Sequence, residues 1–535
     1  MVVWGVQRDL PSLVRASFDV LIVGGGIVGA CVARDAALRG LSVALIDRGD
    51  FGGGISWNSL KIIHGGLRSL QGLDIGQARQ FVRERRAWLR IAPHLVEPLS
   101  FVVPTRGYGR ESAMLMRAGL ALNDAVSSDR NEGISPSRRL PSGRALSRSE
   151  LRSLVPDTFH GYTGGALFYD AQLYAAERLV MAVLDDAVRA GATIANYVEA
   201  VGPLRDGDTL AGVVATDRLG GESFDVRAAM IVNAAGGGAA AVADRLTGRA
   251  GSAPPMTGIA LNLMLAGDAA ATTAFAIAAT EEGRMRRLFV VPWRGRTIVG
   301  TAHYACERMP ASESELEPHV ERFVSEVAAS WPARAITRES VLLVHAGMQP
   351  LPHGARGSQA HGPPEHTIID HARAGMPRLL TAIGPKLTTS RAIAEELTDI
   401  VCARIGRATR PSETATRLLA SASADDVAML IGRALAGDRA GMPEDVVTHL
   451  VRSYGADSDE LIGMVRDQPA LGTRIEEGSP VIAAQFERAV RSEMAARADD
   501  LVSRRTELAS TARATARSRA AAHGALAAAE RYRAT

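Results

Sequence analysis

Gly24, Gly26 and Gly29 stand between a short apolar run, residues 19–23 (DVLIV), and an alanine-rich stretch with helical periodicity over 27–39 that stops at Gly40. A β-branched run of this length reads as a buried parallel strand. The spacing G-x-G-x-x-G then has a mechanical meaning. The first glycine allows the tight turn, the second lets the backbone approach a pyrophosphate, and the third lets helix and strand pack closely. The helix N-terminus faces the phosphates. Residues 42–47 (SVALID) complete a βαβ unit, and Asp47 ends its second strand, where a carboxylate accepts hydrogen bonds from ribose hydroxyls. Strand, turn, helix and acid together specify a dinucleotide-binding fold.

The 535 residues suffice for roughly three units at about 150 residues each. A net charge of +3 offers no concentrated basic stripe, which argues against nucleic acid as a partner. Cys31, Cys306 and Cys402 are too far apart for a disulfide framework or a metal site. They suit a reducing, cytoplasmic compartment. No apolar run reaches the length of a membrane span. Trp4 and Arg15 keep open a peripheral contact at the inner face of a membrane.

Further along, the spacing predicts an Arg-rich helix over 76–92 and another over 173–190. A group of strands follows over 194–232, and a strand runs into a glycine turn at 228–236 (AAMIVNAAG). Strands fill 258–347 around a helix at 313–329, with a further strand at 339–345. Residues 353–366 read as an exposed loop, and a helix covers 391–405. From about 408 strand-like runs vanish, and Ala, Arg and Glu mark a helical region, with 508–535 as a helix or a frayed tail.

Several ordered motifs then agree. Residues 54–70 read GISWNSLKIIHGGLRSL, 83–104 RERRAWLRIAPHLVEPLSFVVP, 168–173 FYDAQL, 177–179 ERL, 291–301 VPWRGRTIVGT and 384–397 GPKLTTSRAIAEEL. With SPVIAAQF and DDLVSRRTEL near the C-terminus, the chain resembles the FAD-dependent glycerol-3-phosphate dehydrogenase family over roughly 18–510. The resemblance implies an α/β fold. An FAD-binding Rossmann-type domain over 18–405 is interleaved with a β-sheet substrate domain (roughly 70–165 and 255–345), and a helical C-terminal domain covers 406–535. It selects FAD over NAD and places Ser56, Asn58, Ser59, Lys61, His64 and Gly65 around the pyrophosphate and flavin. Val198, Ala235 and Gly236 join them, and Gly384, Lys386, Leu387 and Thr388 line the ring. A lysine near the flavin stabilises charge that builds there on reduction. The plain alternative for Lys61 is a surface cation. The oligomeric state, a homodimer included, stays open.

The departures from the family pattern bear on substrate. Its Lys-Gly-x-His is Thr257-Gly258-Ile259-Ala260 here, so the histidine base is missing. Its Ala-Gly-x-Arg-Pro-Leu is Ala346-Gly347-Met348-Gln349-Pro350-Leu351, and its Ser-Arg-x-His is Pro363-Pro364-Glu365-His366, so two phosphate-binding arginines are gone. Ile55, Trp57 and Leu60 replace small hydroxyl residues, Ser69 an aromatic, and Pro385 a glycine. The expected reaction is oxidation of a polar secondary alcohol other than glycerol 3-phosphate by hydride transfer to flavin N5, with quinone or O2 as acceptor. His345 is the first candidate base and His303 the second, while Arg68 and Lys386 are the cations at the reacting centre. Two readings stand beside it: a glycerol-3-phosphate dehydrogenase with altered ligands, and a catalytically silent flavin-binding protein.

Overall fold

In the computed structural model, which describes residues 8–107, 112–155, 161–254, 258–267, 271–281, 284–349, 366–384, 386–408 and 410–534, the run DVLIV is the centre of a parallel sheet. Ser17–Val23 pairs with Val43–Ile46 on one side and Ser223–Asn233 on the other. Thr193–Ala195 extends the sheet beyond Val43–Ile46, and Leu379–Ile383 extends it beyond Ser223–Asn233. Val20, Leu21 and Ile22 have no exposed surface, as a strand covered on both faces requires. Helix Ile27–Leu38 packs between helices Ala176–Arg189 and Ser390–Ile405 on one face. The predicted helix at 173–190 starts only at Ala176, because Gly164–Leu173 is claimed by antiparallel pairing with Val96–Thr105.

Among the described residues a second sheet of nine strands runs in the order Val341–Gln349, Gly258–Ala266, Arg296–Ala305, Arg284–Trp293, Thr273–Glu281, Val96–Thr105, Gly164–Leu173 and Ile62–Ile63, with Arg144–Ser147 beside Gly164–Leu173. Helix Glu313–Ser330 covers one face. Ile259, Leu261, Val290, Val299 and Ala302 form a core with Val320, Phe323 and Val327 of that helix. Side chains alternate across a strand. Ala260, His303, His345, Gly347 and Gln349 therefore point to the opposite face, over which the 54–66 loop passes.

Beyond residue 410 the chain is helical, with an isolated bridge between Arg474 and Ile482. Of 508–535, Ala516–Ala534 is one helix. This region is tied to the body by buried charge. Arg505 grips Asp50 with two hydrogen bonds of 2.6 and 2.8 Å, and Arg178 grips Glu493 at 2.8 and 2.9 Å. Among the described residues no helix is long and apolar enough to cross a membrane.

Candidate active site

The glycine turn is as crowded as its motif demands. Gly24 sits at φ +110°, and a Cβ there would lie 2.6 Å from the Ala234 carbonyl oxygen. A Cβ on Gly29 would lie 1.9 Å from the Gly24 carbonyl oxygen. At Gly26 it would meet only the Ser56 hydroxyl, at 3.1 Å, so the space over the helix N-terminus stays open. The Asp47 carboxylate accepts from Gly25 N–H (2.7 Å) and Gly49 N–H (2.8 Å), fixing the turn's outer wall. Burial pushes its pKa up to about 6 against those two hydrogen bonds. Val198 N–H donates to the Asp47 carbonyl at 2.7 Å, bringing a distant segment to the same edge. At the second turn Asn233 donates to the Ala239 carbonyl (2.7 Å) and accepts from Ala235 N–H (3.3 Å). Gly236 follows at φ +53° with nothing near its Cβ position.

The 54–66 loop links this turn to the second sheet. Ser56 Oγ accepts from Ile27 N–H at 3.0 Å, at the helix N-terminus. Asn58 donates to the Ala346 carbonyl, and Ile55 packs on Gly347, where a Cβ would lie 2.2 Å from its methyl. Ser59 Oγ accepts from Lys61 N–H at 3.3 Å. His64 N–H donates to Thr388 Oγ1 at 3.3 Å, and Gly65 N–H to Asp170 at 2.6 Å. His64 and Lys386 both lie against Phe81, each 4.5 Å from its ring centroid. Leu387 packs into the core beside Thr388, and Gly384 clears the Ile393 side chain, which a Cβ would approach to 2.8 Å. Loop, Phe81 and the 386–388 turn thus form one wall.

Lys61 is no surface cation: it has no exposed surface. Its ammonium donates to the Trp57 carbonyl and lies 3.6 Å from Glu177 and 4.9 Å from the Trp293 ring centroid. Burial lowers its pKa, and the Glu177 carboxylate opposes that shift. Ser510, from the C-terminal helical region, donates to the same carboxylate at 2.6 Å. Arg68 is the second residue of a short helix, Leu67–Gln71; its side chain lies outside the described residues, as do Trp4, Thr257, residues 350–365 and Pro385.

The two histidine candidates differ sharply. His345 is 1% exposed, edge-on to Trp57 at 5.8 Å, and neither ring nitrogen has a hydrogen-bond partner. Burial and then the Lys61 charge bring its pKa down to about 3, with weak opposition from backbone groups of Ser59 and Ser510. His303 is half-buried and directly opposite Ala260 on the neighbouring strand, while Gly347 flanks Ala260 on its other side. Gln349 reaches across to His303, and its amide nitrogen Nε2 donates to the ring Nδ1.

Several supporting residues escape a reading by motif alone. Asp170 and Arg85 form an ion pair that receives Gly65, Trp88 Nε1 donates to the Thr388 carbonyl at 3.1 Å, and Glu177 pairs with Lys61. All fall in the stretches 83–104, 168–173 and 177–179, so the signal was present as pattern without a role attached.

The open space above Gly26 and the paired glycine turns fit an extended dinucleotide, and the wall of His64, Lys386 and Thr388 suits its redox-active ring. Residues 19–400 match the family model of FAD-dependent oxidoreductases, and 412–532 match that of the C-terminal domain of alpha-glycerophosphate oxidase. The chain is 32% identical to the glycerol-3-phosphate dehydrogenase of a Synechocystis strain over 94% of this chain and 91% of that protein. It is 30% identical to the human mitochondrial glycerol-3-phosphate dehydrogenase, over 94% of this chain and 69% of that one. Among solved structures, the glycerol-3-phosphate dehydrogenase of Bacillus halodurans, complexed with FAD, superposes with a TM-score of 0.69 at 21% identity, covering 93% of this chain and 88% of that one.

Proposed function

The chain belongs to the FAD-dependent glycerol-3-phosphate dehydrogenase family, and we propose that it oxidises a polar secondary alcohol lacking a phosphate group, with His303 as the base. The family makes it an FAD-dependent oxidoreductase; the substrate and the base are our reading. The observation that carries it is the row Gly347, Ala260, His303, with Gln349 bound to His303. Bound FAD supplies the hydride acceptor. The protein must then take the hydroxyl proton within hydrogen-bond reach of the carbinol oxygen, which histidine does near neutral pH. Ala260 has no such group. His345, sealed under Trp57 and held neutral, has no open side toward a carbinol, so His303 takes precedence over it.

Gln349 is a neutral amide where the family pattern carries an arginine. An arginine fork binds a phosphate dianion bidentately and keeps its charge. Each such charge-assisted bond is worth about 1.5–3 kcal/mol, and the sequence lacks two. The relatives' printed names favour a second reading, glycerol 3-phosphate itself. Anaerobic mixing separates the two: unphosphorylated polyols, sugars and cyclitols should bleach the flavin absorbance faster than glycerol 3-phosphate at equal concentration. Rapid bleaching by micromolar glycerol 3-phosphate refutes the proposal, and no bleaching by any alcohol supports a catalytically silent flavoprotein. Re-oxidation with a soluble quinone or with air separates dehydrogenase from oxidase.

A further inference from the structure

We propose that Asp500, in the C-terminal helical region, is a positioning residue for the adenosine half of the cofactor and acts through Tyr197. This rests on the reading of Asp47 and Val198 as the adenosine edge of the site. The chain leaves the parallel strand Thr193–Ala195, kinks at Asn196 and Tyr197, and continues as Val198–Asp206. Tyr197 makes the kink at φ +54°, in the left-handed region. Bulky side chains rarely adopt that conformation, so it marks a place where the surroundings impose the backbone. Glycine or asparagine takes it with little strain, yet a tyrosine stands here.

The C-terminal region supplies those surroundings. Tyr197 is 6% exposed, and its hydroxyl donates to Asp500 Oδ1 at 2.6 Å. Asp500 is itself fixed, because its Oδ2 accepts from Ala496 N–H at 2.8 Å and from Arg497 N–H at 2.9 Å. The Arg497 guanidinium lies 4.7 Å from the Tyr197 ring centroid. Beside it, Asn196 donates to Asp50 at 2.8 Å and to the Met494 carbonyl at 2.9 Å. Toward the cofactor the kink acts through backbone. Tyr197 N–H donates to the Gly49 carbonyl at 2.8 Å, and Val198 N–H to the Asp47 carbonyl at 2.7 Å. Gly49 N–H in turn holds the Asp47 carboxylate. Asp500, Tyr197, Gly49 and Asp47 thus link the C-terminal region to the carboxylate read as the ribose ligand.

Without the hydroxyl bond the tyrosine relaxes toward an ordinary φ and turns these two N–H groups away from Gly49 and Asp47. The left-handed state of such a residue is disfavoured roughly 5- to 150-fold in population. A ligand that needs the kinked backbone binds more weakly by up to that factor, since apparent affinity scales with the competent fraction. The bonds of Asn196 retain part of the kink, so the lower end of the range is expected.

Full-length protein stripped of FAD is titrated with FAD and with ADP, the adenosine half alone. Tyr197→Phe should raise both Kd values about 5-fold or more. Asp500→Ala should do the same, and the double variant should bind no more weakly than Asp500→Ala alone, because both changes remove the same bond. A contact that only stabilises the fold would lower the unfolding midpoint and leave the ADP Kd in place. That outcome, or additive losses in the double variant, overturns the inference. If Asp500→Ala does not fold, Tyr197→Phe, which removes one hydroxyl, decides alone through its ADP Kd. Asp47→Ala separates this inference from the reading beneath it. If Asp47→Ala weakens ADP and Tyr197→Phe does not, this inference alone falls. If Asp47→Ala binds ADP as tightly as wild type, the reading of the adenosine edge falls, and this inference falls with it.

Discussion

Replacing Glu177 by Gln removes the carboxylate 3.6 Å from a fully buried ammonium while keeping a hydrogen-bond acceptor for Ser510. Breaking one side of a buried ion pair costs about 3–5 kcal/mol. A second route sets a ceiling. The folded variant can shed the charge instead, and deprotonating at pH 7 a lysine whose ordinary value is 10.5 costs about 5 kcal/mol at 1.36 per pH unit. The two routes agree, so stability at pH 7 should fall by about 3–5 kcal/mol. The second route also leaves a signature in pH. If Lys61 is neutral in the folded variant and charged when unfolded, the unfolded state holds one more proton. The variant then gains about 1.4 kcal/mol per pH unit up to about pH 10, and its gap to wild type narrows. Urea unfolding of both proteins at pH 7, 8 and 9 measures this. A gap under about 1 kcal/mol at pH 7, or one that does not narrow with pH, would show that the Lys61 site is open to water and that the buried-pair argument is wrong.

Two further outcomes follow from the same geometry. Gly26→Leu should give folded but colourless protein, because the side chain fills the space over the helix N-terminus without striking backbone; retained flavin absorbance after gel filtration would refute this. His345→Phe should flatten the acid side of the stability curve. The wild-type ring is neutral down to about pH 3 when folded but protonates near 6.5 when unfolded, so its contribution is lost as pH falls between those values at about 1.4 kcal/mol per unit. Unfolding at pH 6 and pH 4 should show the variant losing that much less per unit, and equal slopes would mean the ring is not buried neutral.

The parts legible in the sequence were those whose physics is local. DVLIV, the three glycines and Asp47 lie within thirty residues, and each constraint acts on its own neighbours. Helix Ile75–Ile91 announced itself by periodicity and by Pro93. The start of helix Ala176–Arg189 did not, because Leu173 has helical company on one side and a strand partner, Val96, on the other, and pairing decides between them. Lys61 shows the same limit in the site. Its burial depends on Glu177 and Ser510, supplied from distant segments, one of them a turn of the C-terminal helical region.

The proposed base shows how motif neighbours and sheet register can point to different residues. His345 precedes the Ala-Gly pair that lines the site, and adjacency in sequence favoured it. Alternation does turn it to the correct face, since 345, 347 and 349 share one side of the strand. Position along the strand then separates them. Asn262, not Ala260, lies opposite His345, and Trp57 closes over it. His303 comes from a strand whose motif, VPWRGRTIVGT, ends two residues earlier, so no local pattern flags it. What favours it in our proposal is antiparallel register: Ala260 opposite His303 on one side and Gly347 on the other. A base lost from one strand of a sheet is most simply replaced from the strand beside it, where a side chain lies about 5 Å away on the same face.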